Sequence, residues 1–349
     1  MDYDLSAHGL ALSLLGLRPV QRLVPRTVRG RGAIVCLHSI GEPYRHDRFA
    51  PMSGLRLSPA FLDRLLRSLR AASTPIIPLR DVPAATAEAS GKPFVCFTLD
   101  DGYHDNWEIA WPIFRRLQVP FTVFLTTDFI DGTLPMCWGL IERCIELGNE
   151  FVLSDGEQRW DWPTRTLREK QTAFSGAAEL FRCSNRNLAA RLSADLRSRY
   201  GAGLWEAARR DALDWTHVRE MAADPLVDIG AHSLSHPLLG ELDIDEARRE
   251  IAGSKSVIER EIDRSVTHFA FPFGDERAVG RNGVALAREA GFDLALTTRR
   301  EVLTASDATR PHELPRITLD SRYETLAQVR AQLCGLPAAV KRLIRRHPH

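Results

Sequence analysis

Seven short runs of nearly unbroken apolar residues limit most strongly what this chain can become. They lie at 32–39 (GAIVCLHS), 94–100 (FVCFTLD), 121–127 (FTVFLTT), 227–233 (VDIGAHS), 267–274 (THFAFPFG), 292–298 (FDLALTT) and 314–319 (LPRITL). A strand with one wet face alternates apolar and polar residues, whereas a run apolar at both parities needs cover on both faces. Helical patterns separate the runs. Ser58 can cap a helix with Pro59 at its first position, followed by Phe61, Leu62, Leu65, Leu66 and Leu69 at 3-4 spacing. Asp243 opens a second, striped by Ile244, Ala247, Ile251, Ile258 and Ile262, and a third runs from Asn282 to a stop at Gly291. Strands alternating with helices predict parallel units, and seven of them predict an α/β fold built as a (β/α) barrel, seven-stranded or distorted.

The rhythm breaks between about 137 and 221. A helix over 137–147, a hairpin turning at Asp155–Gly156 and helices through Trp205 and Ala222 predict an inserted cap. The expected organisation is a basic amphipathic segment at 1–31, a barrel domain at 32–320 carrying the insertion, and a basic helix at 321–349. The first segment joins apolar Leu10 to Leu17 with Arg18, Arg22, Arg26, Arg29 and Arg31. The last joins Val340, Leu343 and Ile344 with Lys341, Arg342, Arg345 and Arg346. Such ends predict peripheral contact with an anionic membrane face, although two helices docked on the barrel with solvated arginines would give the same pattern.

Composition excludes several classes. A net charge of +1 creates no global field for nucleic acid. The six cysteines form no C-x-x-C pair, which argues against a thiolate zinc site and for a reducing compartment. The Met-Asp-Tyr-Asp start, with arginines after the apolar stretch, does not match a secretory leader, and no apolar run approaches the roughly 20 residues of a spanning helix. The expected location is the cytoplasm, peripheral at the inner face of the membrane.

Polar residues gather where the strands run out: His38, Asp100–Asp101, Thr126–Thr127–Asp128, His232 and Pro272–Phe273–Gly274. In a β/α barrel the loops at that rim converge on one mouth. Adjacent carboxylates repel each other and persist beside a cation or separate partners, though a DDG also makes a turn whose Asp caps a helix near Asn106. His232 and His236 are four apart between Gly230 and Pro237, which favours a strand-to-loop bend over a helix face. Either geometry lets two imidazoles reach one metal ion.

Three segments taken in order, TLDDG at 98–102, HSLSH at 232–236 and FAFPFG at 269–274, resemble those of the polysaccharide deacetylases of carbohydrate esterase family 4, the NodB-homology domain. The resemblance runs from about 32 to 319, apart from the insertion. It implies a hydrolase that removes acetyl from an N-acetylated sugar in a glycan or glycan precursor. The substrate could be lipid-linked. It implies Asp100 as general base, and Asp101, His232 and His236 as ligands of one divalent ion, zinc in the first instance, with cobalt, nickel or iron as alternatives. The Pro272, Phe273 and Gly274 segment would bind the substrate oxyanion through the Phe273 N–H.

Two departures stand out. The family's arginine two residues before the motif proline is Ala270 here, and its C-terminal Leu-x-x-His reads Leu314–Pro315–Arg316. A subgroup with a histidine on its first strand is the better match, which makes His38 the acid that protonates the leaving amine. Arg316 either replaces the arginine absent at 270, holding Asp100 ionised through a charge-assisted bond, or makes a surface salt bridge. His104 is a candidate substrate contact. Trp138 either stacks on a sugar ring or fills a core. His268 begins its strand and should face the other end, and His312 precedes the last strand. The rival readings are a metal amidase acting on a small non-sugar amide or cyclic imide, and a catalytically silent carbohydrate-binding module.

Overall fold

The computed structural model describes residues 5–43, 49–88, 91–323 and 325–340. Seven parallel strands form one sheet: β1 (Gly32–Leu37), β2 (Phe94–Leu99), β3 (Phe121–Leu125), β4 (Val227–Ala231), β5 (His268–Ala270), β6 (Leu294–Leu296) and β7 (Ile317–Thr318), in the spatial order β6-β5-β4-β3-β2-β1-β7. The sheet curls on itself. Val35 and Cys36 of β1 pair with Ile317 and Thr318 of β7, while Leu314, just ahead of β7, bridges Leu296 of β6. One segment therefore touches both edges, and the fold is a distorted seven-stranded (β/α) barrel.

The unbroken apolar runs divide by parity, as a pleated strand covered on both faces requires. Ile34, Cys96, Phe124, Ala270, Leu294, Leu296 and Leu314 form one cluster inside the curl. Ala33, Val35, Leu37, Phe97, Leu99, Val123, Leu125, Ile229 and Ala231 join the surrounding helices on the outside. Helix Pro59–Ala71 is capped by the Ser58 side chain and buries Phe61, Leu62, Leu65, Leu66 and Leu69. Helix Ile244–Ile262 is capped by Asp243.

Between β3 and β4 the chain makes a body with its own core. Helix Cys137–Glu146, the hairpin of Glu150–Ser154 with Arg159–Pro163, and helices Leu167–Arg182, Arg186–Tyr200 and Ala202–Arg209 enclose Ile141, Phe151, Leu153, Ala177, Phe181, Leu192 and Leu196. Asp155 and Gly156 turn the hairpin, Gly156 at φ +97°.

The described residues cover the two terminal segments in part. Helix Leu5–Leu15 (LSAHGLALSLL) contains no Lys, Arg, Asp or Glu and has no polar face, so it is apolar rather than amphipathic. At the other end, helix Leu326–Leu333 stops at Cys334–Gly335, with Gly335 at φ +72°. The basic run Lys341, Arg342, Arg345 and Arg346 lies outside the described residues.

Candidate active site

The strands end earlier than the apolar runs, and the difference makes the site. β4 stops at Ala231 and β5 at Ala270, so His232 and the Pro272–Phe273–Gly274 turn lie in loops at the carboxyl rim. Four non-glycine residues of the three motifs hold left-handed backbones: Asp101 at φ +75°, Ser233 at +67°, His236 at +64° and Phe273 at +58°. Each such conformation costs on the order of 1–3 kcal/mol and persists where its surroundings over-determine it. Glycine is needed at two neighbouring points. Gly102 has φ +82°, and a Cβ there would meet Ile130 at 2.8 Å; Gly274 has φ +65°, and a Cβ there would meet the Thr298 amide at 2.7 Å.

Asp101, His232 and His236 converge. The Asp101 Oδ1 atom lies 3.4 Å from His232 Nε2 and 3.2 Å from His236 Nε2, with all three side chains nearly enclosed. Despite these short approaches, Asp101 Oδ1 lacks a satisfying hydrogen bond, an expensive state for a buried carboxylate oxygen. The set fits a divalent cation. Separations of 3.2 and 3.4 Å match the roughly 3.3 Å edge of a tetrahedron drawn with bonds of about 2.0–2.1 Å. His232 Nδ1 lies 2.7 Å from the Ala270 carbonyl. That oxygen can only accept, so the ring proton sits on Nδ1 and the Nε2 lone pair is left for a metal. Burial would raise the Asp101 carboxyl, yet His232 and His236 hold it well below the usual range.

Asp100 is oriented differently although it is the next residue. Its Oδ1 and Oδ2 each accept a bond of 2.7 Å from the Arg316 guanidinium, which is fully buried and also donates to Thr98 Oγ1 and the Thr297 carbonyl. Burial pushes the Asp100 carboxyl upward, but Arg316 and then His232 outweigh it and keep it below the ordinary carboxylate range. The Cys36 thiol approaches Oδ2 at 3.4 Å. His38 lies beside the pair, one of its ring nitrogens within 4.8 Å of the Cys36 sulfur and an Asp100 oxygen, and its Nδ1 has no protein partner.

Three polar clamps hold these loops. Glu250 accepts from the amides of Leu234 and Ser235 at 2.9 Å and from Ser235 Oγ at 2.7 Å, spanning the stretch between the two histidines. Asp105 accepts from Ser39 Oγ and the Ile40 amide, and Asn106 Nδ2 donates to the His38 carbonyl at 2.8 Å, so the residues after DDG fix the end of β1. Thr298 Oγ1 donates to the Phe273 carbonyl at 2.6 Å, pinning the turn. None of these clamps was foreseen. Glu250 did leave a signal, because it interrupts the buried stripe of Ala247, Ile251, Ser254 and Ile258 with an acid on the core face.

The insertion reaches the site with aromatic surface. Trp138 is only 9% exposed, its ring edge-on to His236, Phe273 and Phe181 at centroid distances of 6.1–6.4 Å. Protein already surrounds that ring, so the core-filling alternative describes it better than an open sugar platform. The Arg182 guanidinium lies 4.5 Å from the Phe273 ring centre. His104 belongs to a separate cluster, its ring 5.0 Å from that of His217 and 5.6 Å from that of Trp107. His268 pairs with Asp228 and His312 with the Phe292 carbonyl, both away from the rim.

The model of the family described as polysaccharide deacetylase matches residues 87–172 and 192–295, more than half of the chain. No curated protein matches. Solved structures share the fold at low identity. The Streptococcus pyogenes deacetylase PplD, in complex with acetate, is 16% identical with a TM-score of 0.52, over 82% of this chain and 92% of that one. IcaB from Ammonifex degensii is 16% identical with a TM-score of 0.54, over 86% and 96%. The de-N-acetylase from Aggregatibacter actinomycetemcomitans is 13% identical with a TM-score of 0.54, over 86% and 98%. With its motifs gathered at one barrel rim and the family model spanning more than half its length, the chain belongs to the polysaccharide deacetylase family and is a hydrolase of carbon–nitrogen bonds in acetylated polysaccharides.

Proposed function

We propose that the protein removes acetyl groups hydrolytically from an N-acetylated sugar in a glycan or glycan precursor, with one divalent ion, zinc first among the candidates, held by Asp101, His232 and His236. The observation that carries this reading is the convergence of those three donors beside an Asp100 already engaged by Arg316. A cation in that set supplies polarisation of the acetamide oxygen and a more acidic water.

The chain's own residues account for the rest. Asp100 stays ionised at neutral pH because Arg316 stabilises its anion, and its Oδ1, which accepts only from Arg316, keeps a lone pair free to accept a proton from water. That guanidinium also fixes the carboxylate plane, since both of its bonds must be kept at once. The Phe273 N–H, in a turn pinned at its carbonyl by Thr298, donates to the oxyanion. His38, with a ring nitrogen near Asp100 and an unpartnered Nδ1, delivers the proton that the departing amine requires, since an amide anion is too basic to leave. The same reading places the enzyme in the cytoplasm, supported by six free thiols.

Acetate release from N-acetylglucosamine oligomers, with protein stripped by a chelator and reloaded with Zn²⁺ or Co²⁺, is the direct test. Loss and recovery of turnover is the expected result. Full activity in protein shown by elemental analysis to be metal-free overturns the metal assignment, and a loaded protein that releases acetate from no N-acetylated glycan overturns the substrate class.

A further inference from the structure

The N-terminal helix Leu5–Leu15 is apolar on every side, and such helices are ordinarily enclosed. This one is enclosed on one side only. Leu12 is buried in the outer core of the barrel, and the helix packs along Leu326–Leu333, where Gln328 Nε2 donates to the Gly9 carbonyl and Arg330 Nε to that of Gly16. Leu10 and Leu14 lie one turn apart, about 160° around the helix from Leu12. They are 63% and 55% exposed, and Leu17 and Leu23 follow at 46% and 83%. With Val340, five of the eight exposed large hydrophobic residues described in the molecule fall in its two terminal segments.

Charge says what covers them. Residues 5–31 hold five arginines and no acid, whereas residues 32–349 are net negative. A second copy docking through this face would bring two strongly cationic segments together. An anionic surface would instead neutralise them. We propose that this face seats the protein on an anionic lipid bilayer, with Leu10, Leu14, Leu17 and Leu23 entering the acyl boundary and the neighbouring arginines meeting phosphate headgroups. Among the described residues no helix is long and apolar enough to cross a membrane, so the attachment is peripheral. It stands independently of the chemistry proposed for the rim.

Flotation of the full chain tests this, using phosphatidylcholine vesicles with and without phosphatidylglycerol, at low and high salt. Two variants accompany it: Leu10→Ser/Leu14→Ser/Leu17→Ser and Arg18→Gln/Arg22→Gln/Arg26→Gln. The wild type should float with anionic vesicles, less so in high salt. The leucine variant should lose roughly tenfold or more in partitioning per leucine removed. The arginine variant should lose its salt dependence. Circular dichroism and acetate release from a soluble substrate should match the wild type for both. A full chain that stays in the soluble fraction with anionic vesicles overturns the proposal. Equal flotation by the wild type and the leucine variant does so as well, as does a stable dimer in sedimentation that the leucine variant converts to monomer.

Discussion

The barrel rim and the insertion meet at Phe273, yet they are built on opposite terms. The rim is polar, buried and strained: Asp100, Asp101, His232 and His236 are at most 7% exposed, and three of the motif loops carry left-handed non-glycine residues. The insertion is an aromatic and aliphatic body around Phe151, Phe181 and Leu192 that sends Trp138 and Arg182 to the edge of the site. Strain and buried charge are kept where groups must be pre-organised for reaction. Packing alone suffices where the task is to enclose. On the proposed function the chemistry belongs to the barrel, while the insertion lends Trp138 and Arg182 to the edge of the site.

Mutation can break that division. The largest effect on turnover is expected from Asp100→Asn, which keeps the side-chain size but cannot take a proton and, with a donor in place of one oxygen, gives up one of the two Arg316 bonds. Its kcat should fall by about 10²–10⁴-fold with metal content unchanged. Retained turnover would mean that the base lies elsewhere, and lost metal would mean that the two aspartates have exchanged roles. Arg316→Ala should follow, costing roughly 3–5 kcal/mol of stability by denaturant titration because it strands a buried carboxylate, and lowering kcat as well. Arg316→Lys should recover only part of the loss, since a lysine cannot span both oxygens.

His38→Ala sharpens the comparison on the barrel side. Cleavage of an amide should slow far more than that of an activated ester, whose leaving group needs no proton. Equal slowing of both substrates would make His38 structural. On the insertion side, Trp138→Ala should cost about 3–5 kcal/mol in the insertion's own packing and raise KM, while kcat on bound substrate stays within roughly tenfold. A kcat loss as large as that of Asp100→Asn would erase the distinction between the two regions.

The smallest effect is one of pH. Burial pushes the Asp105 carboxyl to about 6 in the folded chain, against 3.8 for an ordinary aspartate. Between those values the native state keeps a proton that the unfolded chain releases, so this contribution is full below pH 3.8 and is lost as pH rises through about 6. Asp105→Asn should flatten the stability profile over that window by on the order of 1–3 kcal/mol, read from urea midpoints at each pH. An unchanged slope would assign the pH dependence to other groups.

Much of the fold was legible because strand and helix periodicities are local. The unbroken apolar runs at 32–39 and 94–100 call for cover on both faces before any contact is known, and order along the chain limits the topology. The strand ends were less legible. The run at 267–274 reads as continuous strand, yet only His268–Ala270 pairs, since the left-handed backbone at Phe273 turns the chain out of the ladder. Within the N-terminal segment, the apolar residues of helix Leu5–Leu15 and the arginines that follow it fall on separate elements, a division that the amphipathic reading of 1–31 did not draw.

By itself the sequence determined the alternation that makes a barrel and the residue types standing at its rim, because both follow from spacing along a single strand or helix. Only the tertiary structure decided that Arg316 grips both oxygens of Asp100 from 216 residues away, and that Cys36, which reads as a small buried hydrophobe, touches the same carboxylate. It likewise decided that Glu250 spans the loop between the two histidines and that Trp138 packs edge-on to His236 and Phe273. Such contacts form where the closing of the barrel brings remote segments within hydrogen-bond reach. No local periodicity encodes that distance, because it depends on how every intervening strand and helix packs.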